Sequence, residues 1–176
     1  MNKILTTTML TMALAACSPS TSVETDGISR TTEFSDSSRQ FTPEVMWQMG
    51  RIGGYHLSAD AQKAVYGVTY YSVEKNKSRA VIYASTPTTD AAPVALTVDG
   101  SAEYAPSFIP GTDKVAYLAA DADGAMQLWM MNADGSARKQ ISFEATEVND
   151  YLFSPCGKKV ILVKTITHEK SVQQND

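Results

Sequence analysis

The chain has 176 residues, of which 43% are hydrophobic and 19% charged, and its formal net charge is −4 at pH 7. This composition is typical of globular domains and excludes a collagen-like or wholly disordered polypeptide. The mild acidity and the scattered basic residues argue against a nucleic-acid partner, because phosphate binding needs clustered Lys and Arg. Two cysteines, Cys17 and Cys156, are too few for a disulfide framework, and their different contexts make a bond between them unexpected.

The amino terminus has the pattern of an export signal. Lys3 gives a positive start, and the mostly apolar run Ile4 to Ala16 is too short for a transmembrane helix, which needs about 20 residues. The run ends in Leu-Ala-Ala-Cys, which resembles the bacterial lipoprotein signal, in which the cysteine thiol is acylated and becomes the first mature residue. Acyl chains in pairs hold a protein stably at a membrane. We predict a signal peptide at 1–16 and lipid attachment at Cys17, with an ordinary secretory signal as the alternative.

Residues 17–40 form the next segment, which is rich in Ser, Thr and Asp and has almost no apolar periodicity. Such a segment cannot bury enough surface to offset the entropy lost on ordering. The sequence therefore predicts a disordered lipoprotein tether between the membrane and a folded part at 41–176. Together with the signal, this predicts a lipid-anchored protein of the bacterial cell envelope that faces the periplasm.

Helix signals come next in FTPEVMWQMGRIGG, residues 41–54. Thr42 is a suitable N-cap, Pro43 suits the first helical position, and Glu44 lies near the positive end of the helix dipole. A small apolar face is expected from Val45, Met46 and Met49. Because Gly50 is a plausible stop, we predict one or two helical turns that pack on the strands after them in the chain.

From Tyr55 onward the pattern is strand-like, and three segments align without gaps. They are LSADAQKAVYGV from Leu57, FIPGTDKVAYLA from Phe108 and FSPCGKKVILVK from Phe153. In each segment a large apolar residue is followed by a turn, a lysine and an apolar strand. The lysines at 63, 114 and 159 are 51 and 45 residues apart, and a period near 45 is typical of four-stranded propeller blades.

The second half of each unit also repeats. AVIY at 80–83 corresponds to MQLW at 126–129, and both predict strands. The later strand runs into a hairpin turn at Asp134-Gly135, whereas the earlier one reaches VALT after a longer loop at 86–93. In the third copy, Ser-Pro-Cys-Gly at 154–157 predicts a type I turn. The predicted fold is all-β, an incomplete β-propeller of two to three blades preceded by the short helix.

Taken in order, these motifs resemble those of a known family. TPEVMWQMGRI, LSADAQKAVYGVTYYSVEKNKS, EYAPSFIPGTDKVAYL, MQLWMMNADGSARKQIS and FSPCGKKVILVK succeed one another as at the start of prolyl oligopeptidase-family serine peptidases. The likeness is closest to bacterial dipeptidyl peptidases of the dipeptidyl peptidase five type. The resemblance implies an N-terminal propeller that restricts access to a C-terminal α/β-hydrolase domain, so that short peptides reach its Ser-Asp-His triad.

The chain departs from that family in one respect, because it contains no G-x-S-x-G motif. Its two histidines, His56 and His168, do not lie in a hydrolase-like context. We therefore assign no catalytic residue, no cofactor and no metal site, and expect the hydrolase domain to be a missing partner from the same gene. Propellers close with about four to eight blades, so two copies and the opening of a third would leave strand edges and apolar faces uncovered.

The sequence supports two main interpretations of function. The leading one is the N-terminal propeller portion of an exported, lipid-anchored serine peptidase that removes dipeptides from short peptides. The alternative is a non-catalytic envelope propeller lipoprotein that binds proteins or glycans. A degenerate gene fragment without function is the third possibility.

Four residue groups raise narrower hypotheses. Cys156 with His56 or His168 would suit a thiol hydrolase, but its repeat turn already explains the cysteine. Asp-Ala-Asp-Gly at 121–124 lacks the other ligands of an EF-hand, so a strand-joining turn is predicted. For Tyr70-Tyr71, packing and substrate contact both stay open. Packing between blades, rather than a ligand platform, is predicted for the strand aromatics Tyr66, Tyr117, Trp129 and Phe153.

Overall fold

The computed structural model describes Ile28 and residues 40–97 and 102–165. The predicted signal peptide at 1–16 and the predicted lipid attachment at Cys17 lie outside the described residues, as does His168. Ile28, which belongs to the segment predicted as a tether, is described and is only 2% exposed. Within the described part of the chain, no helix combines the length and the apolar character needed to cross a membrane.

Helix α1, Pro43–Gln48, begins as the sequence predicts. Thr42 is the N-cap, and its hydroxyl oxygen accepts a hydrogen bond from the backbone N–H of Val45 at 3.3 Å. The predicted apolar face is only partly correct, because Val45 is buried whereas Met46 and Met49 are 40% and 45% exposed. The helix packs against β2 (Ala64–Ser72), which confirms that it docks on the strands after it in the chain.

The first sheet contains four antiparallel strands in the order β1-β2-β3-β4. Their bounds are β1 Arg51–Leu57, β2 Ala64–Ser72, β3 Lys77–Ser85 and β4 Val94–Ala95. β1 begins at Arg51, so the prediction that strand structure starts at Tyr55 is wrong. The register of β1 on β2 shifts between Ile52 and Tyr55, where Gly53-Gly54 forms a bulge. Glycines inside a strand commonly mark such a bulge, and here they fall at the end of the segment 41–54 that carries the helix signals.

The second sheet repeats the first, in the order β5-β6-β7-β8, and a third sheet pairs β9 with β10. Their bounds are β5 Glu103–Phe108, β6 Lys114–Ala120, β7 Met126–Asn132, β8 Lys139–Gln140, β9 Val148–Phe153 and β10 Val160–Lys164. Over the described ranges, the protein thus forms two four-stranded meanders and the first hairpin of a third. The predicted order of strands is confirmed.

The three aligned turns share one backbone hydrogen bond, which the residue that opens the turn donates to the carbonyl of the repeated lysine. The pairs are Ser58–Lys63, Ile109–Lys114 and Ser154–Lys159, with distances of 2.8, 2.9 and 2.8 Å. The turns themselves differ. Gly157, the fourth residue of its turn, has a φ of +69°, whereas Gly111, the third residue of Ile-Pro-Gly-Thr, has a φ of +75°. A positive φ at the third position is typical of a type II turn.

The second sheet lies between the other two, and each neighbour contributes to a core cluster with it. Val65 and Ile82 of the first sheet join Phe108 and Tyr117 of the second. The third sheet contributes Tyr151 and Val148 to a cluster with Ala116, Leu118 and Leu128. In consequence, the five central residues of β6 are buried, whereas all seven residues of β1 and four of the five in β10 are exposed.

Short outer strands are extended by a buried hydroxyl in both complete sheets. The hydroxyl of Thr97 accepts the backbone N–H of Ile82 at 2.9 Å, and that of Ser142 accepts the N–H of Leu128 at 2.7 Å. Because β4 and β8 contain two residues each, these hydroxyls act as the next ladder acceptor. They fix the point at which the chain leaves the outer edge and crosses toward the next sheet.

Candidate functional site

The structure does not bring Cys156 and His56 into contact. Cys156 is exposed in the β9–β10 turn, where its sulfur lies 3.4 Å from the Ser154 hydroxyl oxygen. That hydroxyl, and secondarily the backbone N–H of Lys158, lower the pKa of the thiol. His56 lies in β1, and its Nδ1 accepts the N–H of Phe108 at 3.3 Å. Cys156 therefore lies in the repeat turn as predicted, and His56 accepts a hydrogen bond from the neighbouring strand.

The acidic segment at 121–124 joins β6 to β7. One carboxylate oxygen of Asp121 accepts the backbone N–H groups of Asp123 and Ala125, each at 3.0 Å. Gly124 has a φ of +86° and donates its N–H to the Asp121 carbonyl at 3.1 Å. This is an Asx-type turn, in which the carboxylate satisfies its own backbone. The predicted strand-joining turn is confirmed.

The strand aromatics pack inside the sheets and between them. Tyr117 is buried in the core between the first two sheets, and the indole N–H of Trp129 donates to the Ala119 carbonyl at 3.1 Å. Phe153 packs edge-on against Tyr151, with ring centroids 5.8 Å apart. The fourth aromatic, Tyr66, stacks on its cross-strand neighbour at 5.9 Å. Packing between sheets is therefore confirmed for Tyr117, Trp129 and Phe153, whereas the contact of Tyr66 lies within the first sheet.

An aromatic and cationic site that the sequence did not predict lies beside α1. The guanidinium carbon of Arg51 is 4.6 Å from the ring centroid of Trp47 and 4.5 Å from that of Tyr71. The two rings meet edge-to-face, with centroids 5.9 Å apart. Arginine beside two aromatic rings gains cation–π attraction from each of them and loses conformational freedom. We call this arrangement the Arg51 sandwich.

The Arg51 sandwich forms one wall of a cavity of about 470 Å³. The opposite wall comes from the β2–β3 hairpin, which includes Asn76 with a φ of +48°. The cavity is lined by Trp47, Arg51, Tyr71, Ser72, Val73, Asn76, Lys77 and Ser78. Its charged side chains are Arg51 and Lys77, so it is positive although the chain is acidic. Tyr71 contacts Arg51 and lines this cavity, so packing and substrate contact both stay open for it.

Two smaller cavities lie along the seam between the first and second sheets, with volumes of about 270 and 330 Å³. They share Lys63, Phe108 and Ala133 as lining residues. The larger one is mainly alanine, valine and leucine side chains, and it borders the loop at 86–93. In the smaller cavity, the Ser58 hydroxyl donates to the Asp60 carboxylate at 2.6 Å and accepts the backbone N–H of Lys63 at 2.9 Å, both within the turn between β1 and β2.

Apolar side chains remain exposed on the outer faces of the first and third sheets. In β1, Ile52 and Tyr55 are 68% and 75% exposed. In the third sheet, Leu152 and its cross-strand partner Ile161 are 68% and 66% exposed, and Val163 is exposed beside them. Large apolar patches on sheet faces mark surfaces that another element covers.

Two sequence-related meanders packed side by side, with a third begun, define the class of this fold as part of a β-propeller. No protein-family model matches the chain. The chain is similar to proteins named Dipeptidyl-peptidase 5 from Porphyromonas endodontalis and Porphyromonas gingivalis, each 30% identical over 135 residues. The match covers 77% of this chain and 19% of each relative, so the chain spans about a fifth of the length of the curated relatives it matches.

Two solved structures with TM-scores above 0.5 share the fold. An acylaminoacyl peptidase from Pyrococcus horikoshii matches 76% of the chain and 20% of its own, with a TM-score of 0.59 and 14% identity. The isopeptidase AtxE2 matches 63% of the chain and 21% of its own, with a TM-score of 0.51 and 18% identity. The propeller domain of the trilobed protease from Pyrococcus furiosus matches 64% of the chain and 33% of its own, with a TM-score of 0.49 and 15% identity.

The described sheets are therefore a peptidase-related portion of a β-propeller. The chain is similar over 77% of its length to the proteins named Dipeptidyl-peptidase 5, so the resemblance predicted from its motifs is confirmed.

Proposed function

We propose that these sheets belong to the propeller of an exported, lipid-anchored serine peptidase that releases dipeptides from short peptides. The proposal is carried by the homology to Dipeptidyl-peptidase 5 over 77% of the chain. The uncovered apolar faces of the first and third sheets support it, because further blades would bury them. In this proposal, an α/β-hydrolase domain encoded by the same gene supplies the catalytic serine.

The propeller would act as a size filter. β1 and β5, the first strands of their sheets, lie against each other, and both carry a register shift after their second residue. First strands that converge in this way would line the centre of a closed ring. A passage between them would admit an extended peptide, whereas a folded protein would be excluded by its width. The hydrolase would therefore receive short peptides only.

The anchor is the second part of the proposal. An acylated Cys17, followed by the polar segment that ends near residue 40, would hold the propeller at the surface of a membrane in the cell envelope. The enzyme would then stay at the membrane, where peptides in the periplasm could reach it.

The peptidase part is tested with the full-length gene product, purified from membranes in detergent. A chromogenic dipeptidyl substrate with a free amino terminus should be hydrolysed, and the same dipeptide with an acetylated amino terminus is the matched control. Labelling with a serine-reactive fluorophosphonate should abolish the activity. Folded protein that neither hydrolyses the substrate nor takes the label would favour a propeller lipoprotein that binds proteins or glycans.

The anchor is tested separately in bacterial cells fed an alkyne-bearing fatty acid. The wild-type protein should carry the label and sediment with membranes. Cys17→Ser should lose the label, whereas Cys156→Ser, which removes the other thiol, should keep it. An unlabelled wild-type protein in the soluble fraction would overturn this part and leave the peptidase part standing.

A further inference from the structure

The Arg51 sandwich leaves side-chain N–H donors without an acceptor among the described residues. Trp47 and Tyr71 lie on two adjacent sides of the guanidinium, because both ring centroids are within 4.6 Å of its carbon while the rings are only 5.9 Å apart. Contact with aromatic rings gives the guanidinium N–H groups no oxygen acceptor, so these donors stay available. In the part of the chain that the structure describes, no carboxylate or carbonyl accepts a hydrogen bond from the Arg51 side chain, and no ion pair includes it.

The surroundings of these donors select for a negative ligand. The cavity of about 470 Å³ is within the size range of small-molecule sites. Lys77 lines it as a second cation, and Ser72, Ser78 and Asn76 line it as neutral polar groups. Glu74, the acidic residue of the same hairpin, is not among the lining residues. Among the described lining residues, a ligand that enters therefore meets two positive charges and no negative one.

The geometry favours a carboxylate over other anions. A guanidinium edge presents parallel N–H groups whose spacing matches the two oxygens of a carboxylate, and such bidentate pairs are the stronger ones. Trp47 and Val73 also line the cavity, are 39% and 65% exposed, and give an apolar group next to the carboxylate a surface to contact. The sandwich fixes the arginine before binding, so less entropy is lost when the ligand arrives.

We propose that this cavity is a binding site for a small carboxylate with an adjoining apolar group, such as the carboxyl end of a short peptide. Arg51 binds the carboxylate in bidentate fashion, Lys77 adds charge, and Trp47 and Val73 contact the apolar group. The site is built entirely from α1, β1 and the β2–β3 hairpin. It does not depend on the peptidase assignment and would exist equally in a binding propeller.

The test is an NMR titration of the full chain, labelled with ¹⁵N. The probe is N-acetylphenylalanine, and its neutral control is N-acetylphenylalaninamide, in which an NH2 group replaces the charged carboxylate oxygen. The Arg51 Nε–H and Trp47 indole signals should shift saturably with the acid and not with the amide. Inorganic phosphate, added as a third probe, should bind more weakly, and tighter binding of phosphate than of the acid would overturn the choice of a carboxylate.

Variants separate binding from folding. Arg51→Lys keeps the charge but loses the bidentate edge, and is expected to weaken binding of the acid at least tenfold. Lys77→Gln should weaken it several-fold, and Lys158→Gln, which removes an equal charge in the β9–β10 turn, should leave it unchanged. All three spectra should keep the dispersion of the wild type. Equal shifts with acid and amide, or unchanged affinity in Arg51→Lys, would show that the sandwich is only a structural link between α1 and the first sheet.

Discussion

Gly157 offers a direct test of how the third sheet packs on the second. Its φ is +69°, and a Cβ built at this position would lie 2.2 Å from the carbonyl oxygen of Pro110, in the equivalent turn of the second sheet. Alanine would therefore cost about 1–2 kcal/mol for the left-handed conformation and about 1–3 kcal/mol for displaced backbone. Alanine also restricts the unfolded chain more than glycine does, and this offsets about 0.4–1 kcal/mol of the cost. Gly157→Ala should lower the free energy of unfolding by roughly 3 kcal/mol.

Gly111→Ala is the matched control. Gly111 has a φ of +75° in the equivalent turn, and a Cβ there would meet no described heavy atom within 4 Å. Only the conformational cost applies, so the expected loss is about 1 kcal/mol. Urea denaturation of the full chain, followed by circular dichroism, measures both losses. Equal losses for the two variants would refute the close approach of the two turns, because only Gly157 lies against another sheet.

Three further changes test the packing. Thr97→Val should lower the free energy of unfolding by about 1–3 kcal/mol and speed hydrogen exchange at the Ile82 amide, because that buried N–H loses its acceptor. Thr97→Ser, which keeps the hydroxyl, should retain both the stability and the slow exchange of the wild type. Tyr151→Phe should cost about 1–2 kcal/mol in urea denaturation, because the Tyr151 hydroxyl lies 2.6 and 2.8 Å from the Ala105 and Ala116 carbonyl oxygens, to which it donates. Burial raises the pKa of Tyr117 to about 12. The contribution of Tyr117 to stability should therefore be constant below about pH 10. It should fall between about pH 10 and 12, by at most about 1.4 kcal/mol per pH unit. Tyr117→Phe should reduce that slope when the free energy of unfolding is measured by urea denaturation at each pH.

The repeat could be predicted because its signals are local. Each hairpin carries a turn, a lysine and a β-branched or aromatic run in fixed order, and these residues determine the backbone without help from distant parts of the chain. Lysine recurs at the position whose carbonyl closes the hairpin, as at Lys63 and Lys159. The N-cap at Thr42 was predictable for the same reason, since capping depends on a few neighbouring residues.

The remaining features depend on residues far apart in sequence. Gly53-Gly54 lie in the segment that carries the helix signals, and only pairing with β2 shows that these glycines form a bulge inside a strand. The Arg51 sandwich needs Tyr71, 20 residues further along, to be brought beside Trp47 by the β1–β2 hairpin. One weak signal was present, because Trp47 precedes Arg51 by four residues. Residues four apart are neighbours on one face of a helix, but α1 ends at Gln48.

The central claim is that the three sheets are consecutive blades whose outer faces are covered by further sheets. The most direct measurement is an experimental structure of the full-length gene product purified from membranes. We predict that β10 pairs with another strand and that Leu152, Ile161 and Val163 are buried under a neighbouring sheet. A closed, monomeric body in which these three side chains face solvent would contradict the claim.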